Sequence, residues 1–194
     1  MKKRVDLPEQ KYEGYIFDLD GTLVDSMPLH YRAWREALAR AGAPDHVFRA
    51  DELYSCGGKS ANDVVRFLNE RYGMHMDAAS TAADKRRIYL EMLEKEGMQP
   101  IREVVEFVHS LGDAPKAIAT GSAMPGASRT LAAAGLSGLF DVILTPDEVE
   151  HGKPAPDMFL KAAELLGVSP DRCVVFEDAE PGMKAAAAAG MDCV

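Results

Sequence analysis

Tyr15-Ile16-Phe17-Asp18-Leu19-Asp20-Gly21-Thr22-Leu23-Val24-Asp25-Ser26 joins a short apolar run to two carboxylates two positions apart and a glycine. An apolar run that stops at polar residues and Gly reads as a buried strand, and the strand ends are where parallel sheets bind ligands. Side chains at i and i+2 of a strand face the same side. Asp18 and Asp20 can therefore address one substrate, one as nucleophile and the other as proton donor. Gly21 lets the backbone turn sharply past them. Taken alone, the pair reads more simply as a calcium-type or turn-type Asp-x-Asp loop. Three later segments overturn that reading.

A carboxylate that attacks a phosphate monoester needs a cation to hold the repelling charges together, donors for the phosphoryl oxygens and a further metal-binding carboxylate. Ile118-Ala119-Thr120-Gly121-Ser122 is a small apolar strand ending in hydroxyls, followed by a helical stretch from Pro125 to Ala134. Thr120, with the backbone N–H groups and hydroxyl of Gly121 and Ser122 beside it, can bind phosphate oxygens. Lys153 lies in Gly152-Lys153-Pro154-Ala155-Pro156-Asp157, where two prolines stiffen the loop and Pro156 can begin a helix. A lysine held there can neutralise both nucleophile and phosphate. Cys173-Val174-Val175-Phe176 repeats the grammar of the first segment, a β-rich run ending in Glu177-Asp178. Asp178 can complete a hard oxygen site for Mg²⁺.

This ordered set resembles the haloacid dehalogenase superfamily of aspartate-nucleophile phosphotransferases, whose four motifs are matched by DLDGTLVDS, ATGS, KPAPD and FEDAEPG across essentially the whole chain. The resemblance implies that Asp18 attacks phosphorus, and that Asp20 protonates the leaving oxygen and later activates water to hydrolyse the aspartyl phosphate. It implies that Thr120 and Lys153 bind the phosphoryl group. Mg²⁺ would be held by Asp18, the Asp20 backbone carbonyl and Asp178, with Glu177 ligating it or orienting its waters.

About 100 residues separate Asp18 from Thr120, too many for one ordinary crossover helix. Apolar residues at helical spacing run through Trp34, Ala37, Leu38 and Ala41, through Val64, Val65, Phe67, Leu68 and Tyr72, and along a stretch from Ala83 to Glu96. With a short helix expected from Asp45 to Leu53, this makes a four-helix unit. It resembles the helical cap of one subclass of the superfamily, with connectors near 26–28 and 97–100. From Ile101 onward helices (101–111, 125–135, 156–167, 181–189) alternate with strands (116–119, 141–144, 172–177), the pattern of a parallel sheet covered on both faces. The expected fold is α/β, a Rossmann-like doubly wound core formed by residues 1–26 and 99–194 with a helical cap over residues 27–98. The chain stops at Met191-Asp192-Cys193-Val194, where the family begins its last strand, so a few further residues are expected.

At 194 residues and 47% apolar content the chain can bury one good core and a smaller accessory unit. No apolar stretch approaches the roughly 18 residues of a membrane span, and Met1-Lys2-Lys3-Arg4 is followed by Asp6, Pro8 and Glu9 instead of an apolar signal segment. A cytoplasmic monomer is expected. Cys56, Cys173 and Cys193 are odd in number without metal-like spacing and read as free structural thiols. A net charge of −9 argues against nucleic-acid and anionic membrane partners, leaving a small phosphate ester as ligand. Gly57-Gly58-Lys59-Ser60 looks like the end of a nucleotide-binding P-loop, but that motif's first Gly would fall on Leu53. A cap loop facing substrate fits better.

His30 by itself reads as a surface residue of the first cap helix. Its setting, Ser26-Met27-Pro28-Leu29-His30-Tyr31-Arg32-Ala33-Trp34, resembles the hinge of sugar-phosphate phosphatases and mutases, in which the histidine faces the active site. The resemblance is greatest to phosphatases of the fructose-1-phosphatase type and to β-phosphoglucomutase. A mutase must clamp a second phosphate, and in its pattern that clamp is an Arg in the cap loop and a Lys-Asn pair after the second-motif serines. Here those positions carry Lys59, Ala123 and Met124, with Ser122 alone unchanged. Ala and Met cannot bind phosphate by side chain, and Lys offers a point charge where Arg offers a planar fork. The expectation is a Mg²⁺-dependent phosphatase of small sugar phosphates, with the mutase as the alternative and a vestigial phosphate-binding protein as a third reading. The sugar would be selected near His30, Ser55, Lys59 and Asn62.

Overall fold

The computed structural model describes residues 12–57 and 59–194. The readings placed on residues 1–11 and on Gly58 lie outside the described residues. In chain order the elements are β1 (Gly14–Phe17), α1 (Met27–Arg40), α2 (Ala50–Ser55), α3 (Ala61–Tyr72), α4 (Ala78–Glu96), α5 (Arg102–Ser110), β2 (Lys116–Ala119), α6 (Met124–Ala133), β3 (Val142–Leu144), α7 (Asp157–Leu166), β4 (Cys173–Phe176), α8 (Glu180–Ala188) and β5 (Asp192–Cys193). The five strands are parallel in the order β3-β2-β1-β4-β5. The order reverses at β1, which puts the ends of β1, β2 and β4 beside the switch point where doubly wound sheets hold ligands.

Alternation along the strands divides the core into two layers. Phe17, Ile118, Val174 and Phe176 face one side, against Val108 of α5 and Ala127 and Leu131 of α6. Ile16, Ala117, Ala119, Cys173 and Val175 face the other, against Met158, Phe159, Ala162 and Ala163 of α7 and Ala185 and Ala186 of α8. Both faces are covered by helices, which is why these strands read as continuous apolar runs. The Phe17 and Phe176 rings stack at 4.5 Å across the β1–β4 pair.

Helices α1 to α4 carry a third cluster, in which Met27, Trp34 and Leu38 of α1 meet Leu53 of α2 and Val64, Val65 and Leu68 of α3. Ser60 caps α3 by accepting the Asp63 N–H, and Asp77 caps α4 by accepting that of Ser80. The helix expected from Asp45 to Leu53 is shorter and later, Ala50–Ser55. The reason is Phe48, which is fully buried beside Trp34 and takes a left-handed backbone with φ 69°. A helix cannot run through that residue. It starts just beyond, where the Arg49 N–H donates to Glu52 Oε2 at 2.9 Å. The helix expected from Ala83 to Glu96 begins five residues earlier, at Ala78 beside its Asp77 cap, whereas from residue 101 onward the helices and strands up to α8 fall within one or two residues of their expected ends. The last residues form β5, paired in parallel with β4. Among the described residues no helix is long and apolar enough to cross a membrane.

Leu68 is fully buried within the third cluster. Leu68→Ala should lower stability by about 2–5 kcal/mol, read as a shift in the urea midpoint with the slope unchanged.

Candidate active site

The parallel sheet brings residues from four distant parts of the chain to one edge. Asp18 follows β1 directly, and its N–H donates to Phe176 O at 2.9 Å, which ties it to the end of β4. Thr120 follows β2, with its N–H on Leu144 O at 3.0 Å. Glu177 and Asp178 follow β4, and Lys153 descends from the loop between β3 and α7.

Lys153 Nζ lies 2.7 Å from Asp18 Oδ1 and 2.6 Å from Glu177 Oε2. Lys153 and Asp18 are each only 3% exposed and Glu177 is 6% exposed. Burial penalises all three charges. In Asp18, burial and the neighbouring Glu177 charge push the pKa well up while Lys153 opposes them. In Lys153 the two carboxylates outweigh burial and hold the ammonium charged far above neutrality. Glu177 is held further by the Ala179 N–H on Oε1 at 3.3 Å. It also fills the space over Gly182, where any Cβ would overlap its carboxylate.

Asp18, Glu177 and Asp178 each offer an oxygen within 4.8 Å of the other two. Asp178 accepts from Thr22 Oγ1 at 3.1 Å, and its pKa is raised by burial and by Glu177. Gly21, at φ 97°, passes so close that a Cβ there would overlap the Asp178 carboxylate. Three hard oxygen donors whose mutual repulsion is offset, among the described residues, by Lys153 alone fit a divalent cation such as Mg²⁺.

Asp20 is engaged differently. Its Oδ1 accepts from Ser26 Oγ at 2.7 Å and His30 Nε2 at 2.8 Å, and its Oδ2 from Ser122 Oγ at 2.6 Å and Thr120 Oγ1 at 3.5 Å. Burial would raise its pKa, but His30 and the Ser122 and Ser26 hydroxyls prevail and hold it well below the usual carboxylate range. Lys85 Nζ sits 2.7 Å from His30 Nδ1. An ammonium can only donate there, so the ring carries its proton on Nε2 and donates to Asp20. Burial and the Lys85 charge lower the His30 pKa, and burial brings Lys85 down to about 8. Tyr89 stacks on His30 at 4.2 Å and bonds Thr130 of α6 at 2.8 Å, which joins α4 to the sheet-covering layer.

Between these groups and α1, α3 and α4 lies a cavity of about 240 Å³, with Asp18, Asp20, Gly121 and Ser122 on its floor. The sequence-selected residues therefore meet at one place: Asp18, Lys153, Glu177 and Asp178 in one cluster, and Asp20, Thr120, Ser122 and His30 in another. Thr120 is fully buried, its Oγ1 accepting the Ser122 N–H at 3.0 Å. His30 is not a surface residue, because α1 turns it inward onto Asp20. Lys59 lines the cavity with its ammonium 4.6 Å from the centre of the Phe67 ring. Sequence reasoning gave no role to Ser26, although it closes the first motif. It also passed over Lys85, which in Asp84-Lys85-Arg86-Arg87 is indistinguishable from an exposed charged face.

A family model for haloacid dehalogenase-like hydrolases matches residues 12–190. The chain is 38% identical over 186 residues to the fructose-1-phosphate phosphatase YqaB of Escherichia coli, covering 95% of this chain and 96% of that one. It is 35% identical over 205 residues to a β-phosphoglucomutase of Mycobacterium bovis, covering 92% and 78%. Among solved structures, a hydrolase from Pseudomonas syringae superposes with a TM-score of 0.84 at 30% identity, covering 93% of this chain and 83% of that one.

Lys153→Met would leave two buried carboxylates without their cation and should cost about 3–5 kcal/mol in metal-free buffer at pH 8. Asp18, whose folded pKa is already raised by burial and by Glu177, then loses the cation that opposes that rise. The penalty is therefore full at high pH and shrinks as pH falls and Asp18 takes up a proton. The gap in Tm between wild type and variant should narrow from pH 8 to pH 5, measured by thermal denaturation in a chelator.

Proposed function

Since the chain belongs to the haloacid dehalogenase-like hydrolases, we propose that it is a Mg²⁺-dependent phosphatase of small sugar phosphates that works through an aspartyl phosphate on Asp18. The observation that carries this reading is the pairing of buried Asp18 with Lys153, two residues from an acid–base Asp20 held by hydroxyls and a histidine. In this reading residues 27–98 act as a cap over a core of residues 1–26 and 99–194. The protein is a cytoplasmic monomer with no nucleic-acid or membrane partner.

Asp18, Asp178 and the Asp20 carbonyl would hold the Mg²⁺, with Glu177 beside them; the ion supplies charge that draws the anionic phosphate to an anionic nucleophile. Lys153 neutralises Asp18 and a phosphoryl oxygen, while Thr120, Gly121 and Ser122 bind the other oxygens. An arriving phosphate competes for the Ser122 hydroxyl and brings negative charge, both of which raise the proton affinity of Asp20. Protonated Asp20 gives its proton to the departing sugar oxygen as Asp18 bonds to phosphorus. Asp20, again a carboxylate, then takes a proton from water. The resulting hydroxide attacks phosphorus and releases Asp18. His30, aligned by Lys85 and Tyr89, keeps Asp20 aimed into the cavity throughout. Cap closure keeps bulk water away until the aspartyl enzyme has formed.

A second reading, a β-phosphoglucomutase, draws support from the cationic Lys59 on the cavity wall and from the mutase relative. Against it stand Ala123 and Met124, which offer a second phosphate no side-chain donor.

Phosphate release with Mg²⁺ across sugar phosphates, including fructose 1-phosphate and β-glucose 1-phosphate, with glucose 6-phosphate followed separately, tests the choice. Free phosphate that disappears in Asp18→Asn and with chelator, and returns with added Mg²⁺, is the expected result. Glucose 6-phosphate without free phosphate would establish the mutase. Asp20→Ala should lower kcat by about 10²–10⁴, the usual worth of general acid–base assistance, when followed by steady-state phosphate release.

A further inference from the structure

The mouth of the cavity carries two charged side chains that the chemistry above leaves unused. Arg86 reaches it from α4 and Asp147 from the 3₁₀ turn Pro146–Glu148 that follows β3. Both are exposed, and among the described residues neither makes a hydrogen bond or an ion pair. Of the other polar groups on this wall, Lys59 lies over Phe67 and Ser60 bonds Asp63 at 2.6 Å, while Asn62 is a neutral amide that adds no charge. Asp147 is also rigidly presented. Thr145 N and Oγ1 both donate to Glu148 Oε2 at 2.7 Å, which locks the one-turn helix that carries it.

We propose that Arg86 and Asp147 form the specificity subsite for the far end of the substrate, and that this end is a neutral vicinal diol. The proposal rests on the phosphatase reading and adds the substrate class to it. A guanidinium only donates hydrogen bonds and an ionised carboxylate only accepts them, whereas a hydroxyl does both. Adjacent hydroxyls of a polyol can accept from Arg86 of α4 and donate to Asp147 of the turn after β3, both of which line the cavity. A second phosphate would satisfy Arg86 but oppose Asp147, so Asp147 selects against bisphosphates. The cavity, about 240 Å³, suits a ligand the size of one small sugar, being somewhat smaller than the roughly 300–1,000 Å³ of drug-sized sites. Met27, Trp34 and Val64 supply an apolar wall for its C–H face.

The test is calorimetric binding of fructose 1-phosphate and fructose 1,6-bisphosphate, with Mg²⁺, to the full chain carrying Asp18→Asn, alone and combined with Asp147→Asn or Arg86→Gln. The parent should bind the monophosphate about tenfold more tightly than the bisphosphate. Asp147→Asn should erase that ratio, and Arg86→Gln should weaken the monophosphate about tenfold. A ratio is read because a partly unfolded variant lowers the active fraction for both ligands equally. An unchanged ratio with Asp147→Asn, or a parent that binds the bisphosphate as tightly, overturns the subsite. Selective binding by the parent, abolished by Asp147→Asn, in a chain whose wild type releases no phosphate would uphold the subsite and overturn the phosphatase reading. Phosphate release by the wild type with an unmoved ratio would do the reverse.

Discussion

One lysine between two carboxylates governs the organisation of this protein. Three ionised groups buried together are unfavourable unless each has a partner, and Lys153 partners both Asp18 and Glu177. The arrangement requires the ends of β1 and β4 and the loop after β3 to converge, which a parallel sheet with its order reversing at β1 provides. It also leaves a surplus of negative charge among Asp18, Glu177 and Asp178. That surplus suits a divalent cation and, with it, an anionic substrate.

The second constraint works across the cavity. Among the described residues Asp20 pairs with no lysine and is held instead by hydroxyls of its own loop and of the loop after β2, and by His30 from α1. His30 in turn is fixed by Lys85 and Tyr89 of α4. Asp20 is therefore oriented both by the loops at the sheet edge and by α1, so the position of the helices bears directly on its environment. The two carboxylates of one short motif have been driven apart by environment. Burial and a neighbouring carboxylate raise one pKa, and hydrogen bonds lower the other.

Much of this was legible from residues alone. Strand-then-carboxylate segments announced β1 and β4, since apolar runs of that length bounded by Asp, Glu and Gly have few other uses. Asp18, Asp20, Thr120, Ser122, Lys153, Glu177 and Asp178 were picked out by motif and do meet at one edge. The failures have physical causes. Phe48 stops the helix expected from Asp45 to Leu53, because its left-handed backbone cannot continue a right-handed helix. Lys85 was invisible because neighbouring residues along a helix point in different directions, and which member of a charged run faces inward depends on what the helix packs against.

The amino-acid sequence by itself determined the parallel α/β core, the helices between its first two strands and the polar residues that end its strands, because strand length, period and local turn chemistry act over a few residues. Tertiary structure alone decided which hydroxyls hold Asp20, that His30 is buried against it, and that Arg86 and Asp147 line the same cavity. Those relations join residues up to about a hundred positions apart. They depend on helix rotation and packing, which no local pattern encodes.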